Sequence, residues 1–172
     1  MVEFRNLSTV KLSEKLSPFA DKIYREKFKV TSIKRTKRDN GKVSILDKKF
    51  CIDVILTLSN GTILTAQEKF RSYRAYKKYG DNATIEYYQD PDILEEGEFF
   101  HLASQIYFYG FSNEKETGFL RYFCLDVARL TLALSFKKIN YKVFQNHKHS
   151  KASFIAFRYD DIPKECILFT GC

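Results

Sequence analysis

An α+β fold, with a central mixed β-sheet flanked by helices, is what this 172-residue chain predicts. Three observations carry the prediction: a helical segment comes first, β-rich apolar runs fill the middle, and a helix and a strand follow near the end. The length suits a single domain covering residues 1–172. A chain of this size buries roughly 70% of the surface its unfolded form exposes, so it needs no disulfide or structural metal to hold a core. Apolar residues at 44% and aromatics at 16% set it apart from disordered compositions.

Taken in order, Ser17-Pro18 reads as an N-cap and first helical position, opening a helix that buries Phe19, Ile23 and Tyr24 and ends near Phe28. FKVTSIKRT is β-rich and runs to a turn at Asp39-Asn40-Gly41. KVSIL and FCIDVILTL follow as strand candidates, and Ser59-Asn60-Gly61 is a strong hairpin signal after the second. TILTAQEKF returns from that hairpin, and ATIEYY is a further short strand. GEFFHLAS reads as a short helix, with His101 a satisfied helix histidine, and QIYFYGF as a buried strand. FLRYFCLDV is its partner, ARLTLALSFKKI a helix, and the tail a basic loop and a last strand with a turn at Ile162-Pro163.

Lys and Arg outnumber Asp and Glu by 29 to 21, a formal charge of +8. Such a field speeds encounter with polyanions and makes binding salt-dependent, although solubility alone also accounts for a basic composition. Cys51, Cys124, Cys166 and Cys172 form no C-x-x-C pair, and His101, His147 and His149 complete no zinc-finger spacing. Reduced thiols and the absence of an apolar N-terminal core or long apolar run predict a cytoplasmic, intracellular protein that meets no membrane. There is no P-loop, dinucleotide-binding glycine motif or nucleophile elbow, which removes support for nucleotide hydrolysis, dinucleotide redox and acyl transfer.

The stretch from Asp53 to Lys69 gathers the residue types that phosphodiester hydrolysis needs. A hard divalent ion takes carboxylate, amide and carbonyl oxygens, lowers the pKa of a bound water and stabilises charge on phosphorus. A lysine beside it orients that water or neutralises the developing charge. Side chains alternate along a strand, so Gln67 and Lys69 share a face. Asp53 stands opposite Gln67 if the loop is Ser59-Asn60-Gly61 with Gly61 left-handed, and opposite Glu68 if it is Asn60-Gly61 alone. Both registers fit the sequence, and a solvated strand face explains each of these residues taken singly.

Here the chain resembles the PD-(D/E)XK nuclease superfamily, the restriction-endonuclease-like fold that includes Holliday-junction resolvases and many phage enzymes. Asp53 matches the motif aspartate, Gln67-Glu68-Lys69 the E-x-K tripeptide, and Asp47-Lys48-Lys49-Phe50-Cys51-Ile52 the lead into the aspartate, within a likeness covering roughly residues 18–160. The resemblance implies a metal-dependent DNA endonuclease or resolvase-like hydrolase using Mg2+, with Mn2+ as an alternative, and RNA not excluded as substrate. Asp53, Gln67 and Glu68 would hold the metal, while Lys69, Glu86 and the helix acid Glu26 would complete the catalytic set. The departure is Gln67, where the family usually has an acid; the candidates for a compensating carboxylate are Glu68, if the strand bulges, and Glu86, and Asp21 and Glu14 compete with Glu26 for the helix acid. Domains of this kind often pair to cut two strands, which makes a homodimer compatible with the reading.

After Lys69, Arg71, Arg74, Lys77 and Lys78 alternate with aromatics in FRSYRAYKKYG, a pattern that suits phosphate contacts and base stacking or, equally, an amphipathic helix with its tyrosines inward. A second basic cluster joins Lys137, Lys138, Lys142, Lys148 and Lys151 to His147 and His149, which reads as a polar loop. Two rival readings stand beside the nuclease. One is a nucleic-acid-binding protein of the same fold without catalysis, and the other a basic interaction or inhibitor protein that meets an acidic partner.

Overall fold

The structure, a computed structural model, describes residues 8–36, 44–145 and 151–172. Helix α1 (Ser8–Phe28) starts well before the Ser17 cap and carries Pro18 inside it. Its buried Leu12, Leu16, Ala20 and Tyr24 are spaced four apart and therefore share one helix face. Burial of that continuous stripe outweighs the helix-breaking tendency of Pro18. The Ser17 hydroxyl donates to the Ser13 carbonyl at 2.7 Å in the turn where the proline sits.

Strand β1 (Val30–Arg35) leads to helix α2 (Ile45–Phe50), capped by Ser44, whose side chain accepts from the Leu46 amide. The strand expected over KVSIL is thus a helix in its described part, and the turn expected at Asp39-Asn40-Gly41 lies outside the described residues. Strands β2 (Val54–Leu58), β3 (Ile63–Arg71), β6 (Ile106–Ser112), β7 (Phe119–Asp126) and β10 (Ile167–Gly171) join β1 in a six-stranded sheet ordered β1-β2-β3-β6-β7-β10. All pairs are antiparallel except β3 with β6, so the sheet is mixed.

The crossover from β3 to β6 holds helix α3 (Tyr73–Tyr79), β4 (Asn82–Asp90), β5 (Glu95–Glu96) and helix α4 (Glu98–His101). Beyond β7 come helix α5 (Val127–Ser135), β8 (Tyr141–Gln145) and β9 (Ser153–Arg158). A second, four-stranded antiparallel sheet, β5-β4-β9-β8, forms from these pieces, where one central sheet was expected. Strands β8 and β10 were also not foreseen. β8 is an exposed edge reading YKVFQ, and β10 follows the Ile162-Pro163 turn, beyond the strand expected to be the last.

Two cores result, one on each face of the large sheet. Tyr24 and Ala20 of α1 pack on Val54, Leu56, Ala66, Ile106, Phe108 and Cys124. On the other face Tyr107, Tyr109, Phe111, Phe123 and Leu125 meet Ala83, Ile85, Ile155 and Phe157 of the small sheet and Leu130 of α5. Tyr109 and Phe123 stack across β6 and β7 with centroids 5.2 Å apart and planes 4° from parallel. Among the described residues no helix is long and apolar enough to cross a membrane.

Candidate functional site

The β2–β3 hairpin sets the register on which the site depends. Leu58 N–H donates to Thr62 O at 2.9 Å, and Gly61, at φ 81°, donates to Leu58 O at 3.0 Å, closing the loop 59–61. Glycine takes that φ without strain, and the Leu58–Thr62 bond makes the three-residue alternative the one adopted. The ladder runs Thr57↔Ile63 to Val54↔Ala66. One step further it bulges: the Asp53 N–H donates to the Ala66 carbonyl at 2.9 Å, so Asp53 and Val54 both face Ala66. The Asp53 carboxylate accepts the Glu68 backbone N–H at 2.9 Å, and the Asp53 carbonyl accepts from Thr36 N at 2.9 Å. Asp53 is held at three atoms.

Alternation splits the QEK tripeptide between the two faces of the sheet. Glu68 points under α1 with 2% of its side chain exposed, and Arg35 donates to it at 2.6 Å while also pairing with Asp21. Burial opposes the Arg35 charge, but Glu68 and then Asp21 outweigh it and raise its pKa. Tyr24 is raised well above its ordinary value by burial and next by Glu68. Glu68 therefore anchors α1 to the sheet and stands apart from Gln67 and Lys69, a correction to its expected place in a metal set. Asp21 is the helix acid that reaches this network; Glu26 lies 63% exposed beside Lys27 and is not brought to either cluster.

On the opposite face Gln67 and Lys69 converge on an acid the sequence had not singled out. Glu98 opens α4 with 8% of its side chain exposed. Its Oε2 accepts from Lys69 Nζ at 2.9 Å, and its Oε1 accepts from Gln67 Nε2 at 3.3 Å and Tyr107 OH at 3.1 Å. Gln67 Oε1 is buried and has no hydrogen-bond partner among the described residues. Burial works against the Lys69 charge, yet Glu98 outweighs it and the lysine pKa is raised. Tyr107 is raised well above its ordinary value by burial first and Glu98 second.

Glu86, on β4, faces the same cluster. Burial raises its carboxyl pKa, Lys69 opposes the shift, and Glu98 and Glu95 add to it. Gly97 makes this approach possible: a Cβ there would lie 2.9 Å from Glu86 Cγ and from the Tyr87 carbonyl. Cys51, in the left-handed cap of α2, points its thiol at the Glu98 carbonyl at 3.7 Å. Burial, then Glu98, Asp53 and Asp47, push that thiol up to about 12. Asp53 and Glu98 thus act on one neighbour. The signal that could have located Glu98 is its place: an acid in the first turn of a helix, directly after a glycine.

The basic segment divides as well. Arg74, Lys77 and Lys78 are exposed on α3, with Lys78 over the Tyr79 ring at 4.8 Å, while Tyr76 packs on Phe111. Arg71, expected on the surface with them, turns inward and donates to Tyr109 OH at 3.1 Å and to Thr84 Oγ1. His147, His149 and Lys148 lie outside the described residues. His101 is 40% exposed, 3.5 Å from Glu96.

No family model, curated protein or solved structure matches the chain. Among the described residues no group of three or more His, Cys, Asp or Glu side chains stands where it could hold a metal ion. A hard ion such as Mg2+ is commonly bound through only one or two carboxylates and keeps several waters. The unpartnered amide oxygen of Gln67, beside a carboxylate, is a donor of the type such an ion takes.

Proposed function

We propose that the chain is a metal-dependent phosphodiester hydrolase with a restriction-endonuclease-like arrangement, an endonuclease or resolvase-like enzyme acting on DNA. The observation that carries this reading is the meeting of Gln67, Lys69 and the displaced acid Glu98 on one sheet face, with the Gln67 amide oxygen left unpartnered among the described residues. The element order supports it, since α1 precedes the β1–β2–β3 meander and α5 and β9 follow. The charge of +8 and the exposed Arg74, Lys77 and Lys78 suit a polyanionic substrate.

Asp53, Gln67 and Glu98 would hold a Mg2+ ion, which when bound supplies charge neutralisation at the phosphate and a more acidic water. Lys69 carries its positive charge to the reacting phosphate, and its raised pKa keeps it protonated across the physiological range. Glu86, half-buried with its carboxyl pKa raised by burial, is the group suited to accept or return a proton. Glu98 takes over the charge that Gln67 lacks, and the Gln67 amide binds it in place.

A second reading, binding without catalysis, is favoured by one observation: the Glu98 carboxylate already receives three donors, Lys69 among them. The test incubates the purified chain with linear and branched DNA in Mg2+, in Mn2+ and in chelator, beside Asp53→Ala and Glu98→Gln proteins. Metal-dependent cleavage lost in both variants supports the hydrolase. Salt-dependent binding with no metal-dependent product selects the second reading, and cleavage that survives in Asp53→Ala refutes the site.

A further inference from the structure

A cavity of about 370 Å3 lies between the two sheets beside α3, with Arg71 in its wall and Tyr79, Tyr109, Phe111, Phe144 and Phe154 around it. Pockets of this size take small ligands. Its position relative to the Glu98 cluster follows from strand alternation. β3, β6 and β4 give Lys69, Tyr107 and Glu86 to the cluster and, two residues on along β3 and β6 and two back along β4, Arg71, Tyr109 and Thr84 to the cavity. Two residues along a strand span about 7 Å, so cavity and cluster are adjacent on one surface.

The chemistry of the lining is selective. Arg71 uses two of its five N–H donors on neutral oxygens, Tyr109 OH and Thr84 Oγ1. Among the described residues no carboxylate hydrogen-bonds it. A half-buried guanidinium held by neutral partners keeps its remaining donors for an anion, and phosphate matches its planar fork. The aromatic rings offer faces and edges to a planar ring. Phe144 and Phe154 are themselves stacked at 5.7 Å, and Phe144 remains 46% exposed on the edge strand, which leaves a wall able to admit a ring.

We propose that this cavity binds one nucleotide unit, its phosphate on Arg71 and its base among the aromatic side chains, beside the Lys69–Glu98 cluster. The site deepens the hydrolase reading by naming the unit held next to the reacting phosphate, and rests on that reading only for placing the unit within a DNA strand. The same chemistry is presented by a free mononucleotide and by the 5′-phosphorylated end of a strand.

Calorimetric titration in chelator separates this site from catalysis. The ligands are 2′-deoxyadenosine 5′-monophosphate, 2′-deoxyadenosine, inorganic phosphate and a 5′-phosphorylated oligo(dA) hexamer, each with the wild-type chain, Arg71→Gln and Phe144→Ala. The nucleotide is expected to bind at least tenfold more tightly than nucleoside or phosphate. Arg71→Gln should lose at least tenfold for the nucleotide and leave the nucleoside unchanged, while Phe144→Ala should weaken nucleotide and nucleoside alike. A hexamer that outbinds the mononucleotide identifies a strand end as the source; equal affinities identify the free nucleotide. No nucleotide binding by the wild type, or affinity unchanged in both variants, overturns the proposal. If Arg71→Gln does not fold, the Phe144→Ala arm decides alone, since the exposed edge position tolerates truncation. Binding in chelator without any cleavage in metal would refute the hydrolase and leave the cavity assignment standing.

Discussion

Replacing Glu98 by glutamine removes one charge and almost no volume, so its effect isolates the electrostatics of the cluster. An amide oxygen in the Oε1 place keeps the Tyr107 and Gln67 bonds at 3.1 and 3.3 Å, but the amide nitrogen then faces Lys69 Nζ across 2.9 Å. Two donors oppose each other there, and the reverse orientation sets the nitrogen against Gln67 and Tyr107 instead. A charge-assisted hydrogen bond contributes about 1.5–3 kcal/mol. Lys69 keeps 24% of its side chain exposed, so water recovers part of the loss, and about 2 kcal/mol is expected to go. For a chain of this length that is a fall in Tm of roughly 4–8 °C by circular dichroism at pH 7. The pH profile supplies a second measurement. The folded pKa of Lys69 is raised above the ordinary 10.5, so its contribution is complete below that value and fades as pH rises through the folded pKa. Wild-type Tm should therefore fall more steeply than that of Glu98→Gln above pH 10.5. Parallel profiles, or a Tm within one degree of wild type at pH 7, would refute the pair.

Glu68→Ala leaves Arg35 with Asp21 as its one carboxylate partner in a mostly buried place, and the loss of a buried pair member costs about 3–5 kcal/mol, measurable by urea unfolding. Gly97→Ala drives a methyl to 2.9 Å from Glu86 Cγ and the Tyr87 carbonyl, so a loss of about 1–3 kcal/mol is expected, with the Lys69–Glu98 contribution at alkaline pH reduced alongside. Cys172 is exposed whereas Cys51, Cys124 and Cys166 are buried, and burial pushes the Cys51 thiol up to about 12. A disulfide reagent at pH 8 should modify one thiol of the native protein quickly, and peptide mass mapping should find it at Cys172; rapid labelling of Cys51 would contradict the burial.

What could be read in advance was whatever local chemistry decides. Ser59-Asn60-Gly61 announces the hairpin, although both registers fit it until the Leu58–Thr62 bond is seen, and alternation along β3 puts Gln67 and Lys69 on one face. The buried strand QIYFYGF needs only its unbroken apolar run. Other features depend on partners far along the chain. Glu98 meets Lys69 across 29 residues, and nothing in GEFFHLAS foretells that α4 will fold back over β4. Arg71 resembles its exposed neighbours until Thr84 and Tyr109 are placed beside it. Strand β8 is exposed at four of its five positions, so its pairing with β9 rather than its composition makes it a strand. The Asp53 bulge is of the same kind, since the loop fixes the ladder but not the extra residue at its end.

The glutamine at position 67 follows from where Glu98 lies. A glutamate there would set two carboxylates in the geometry now spanned by the 3.3 Å Gln67–Glu98 hydrogen bond. Repulsion between unit charges at such a distance is of order 4 kcal/mol at an effective dielectric of about 20. One of the pair would take up a proton, its pKa raised by the other. A carboxyl with a raised folded pKa destabilises the folded state above its unfolded value near 4.3, with a deficit that grows until the folded pKa is passed. The Tm of Gln67→Glu should therefore approach wild type at pH 4 and fall progressively behind it toward pH 7. A divalent cation seated between the two acids would remove the repulsion, and at one hundred times its dissociation constant would restore about 2.7 kcal/mol. Recovery of the Gln67→Glu deficit by Mg2+ or Mn2+ but not by matched ionic strength would place an ion at this carboxylate. A deficit independent of both pH and metal would mean that residue 67 and Glu98 do not share a site in solution.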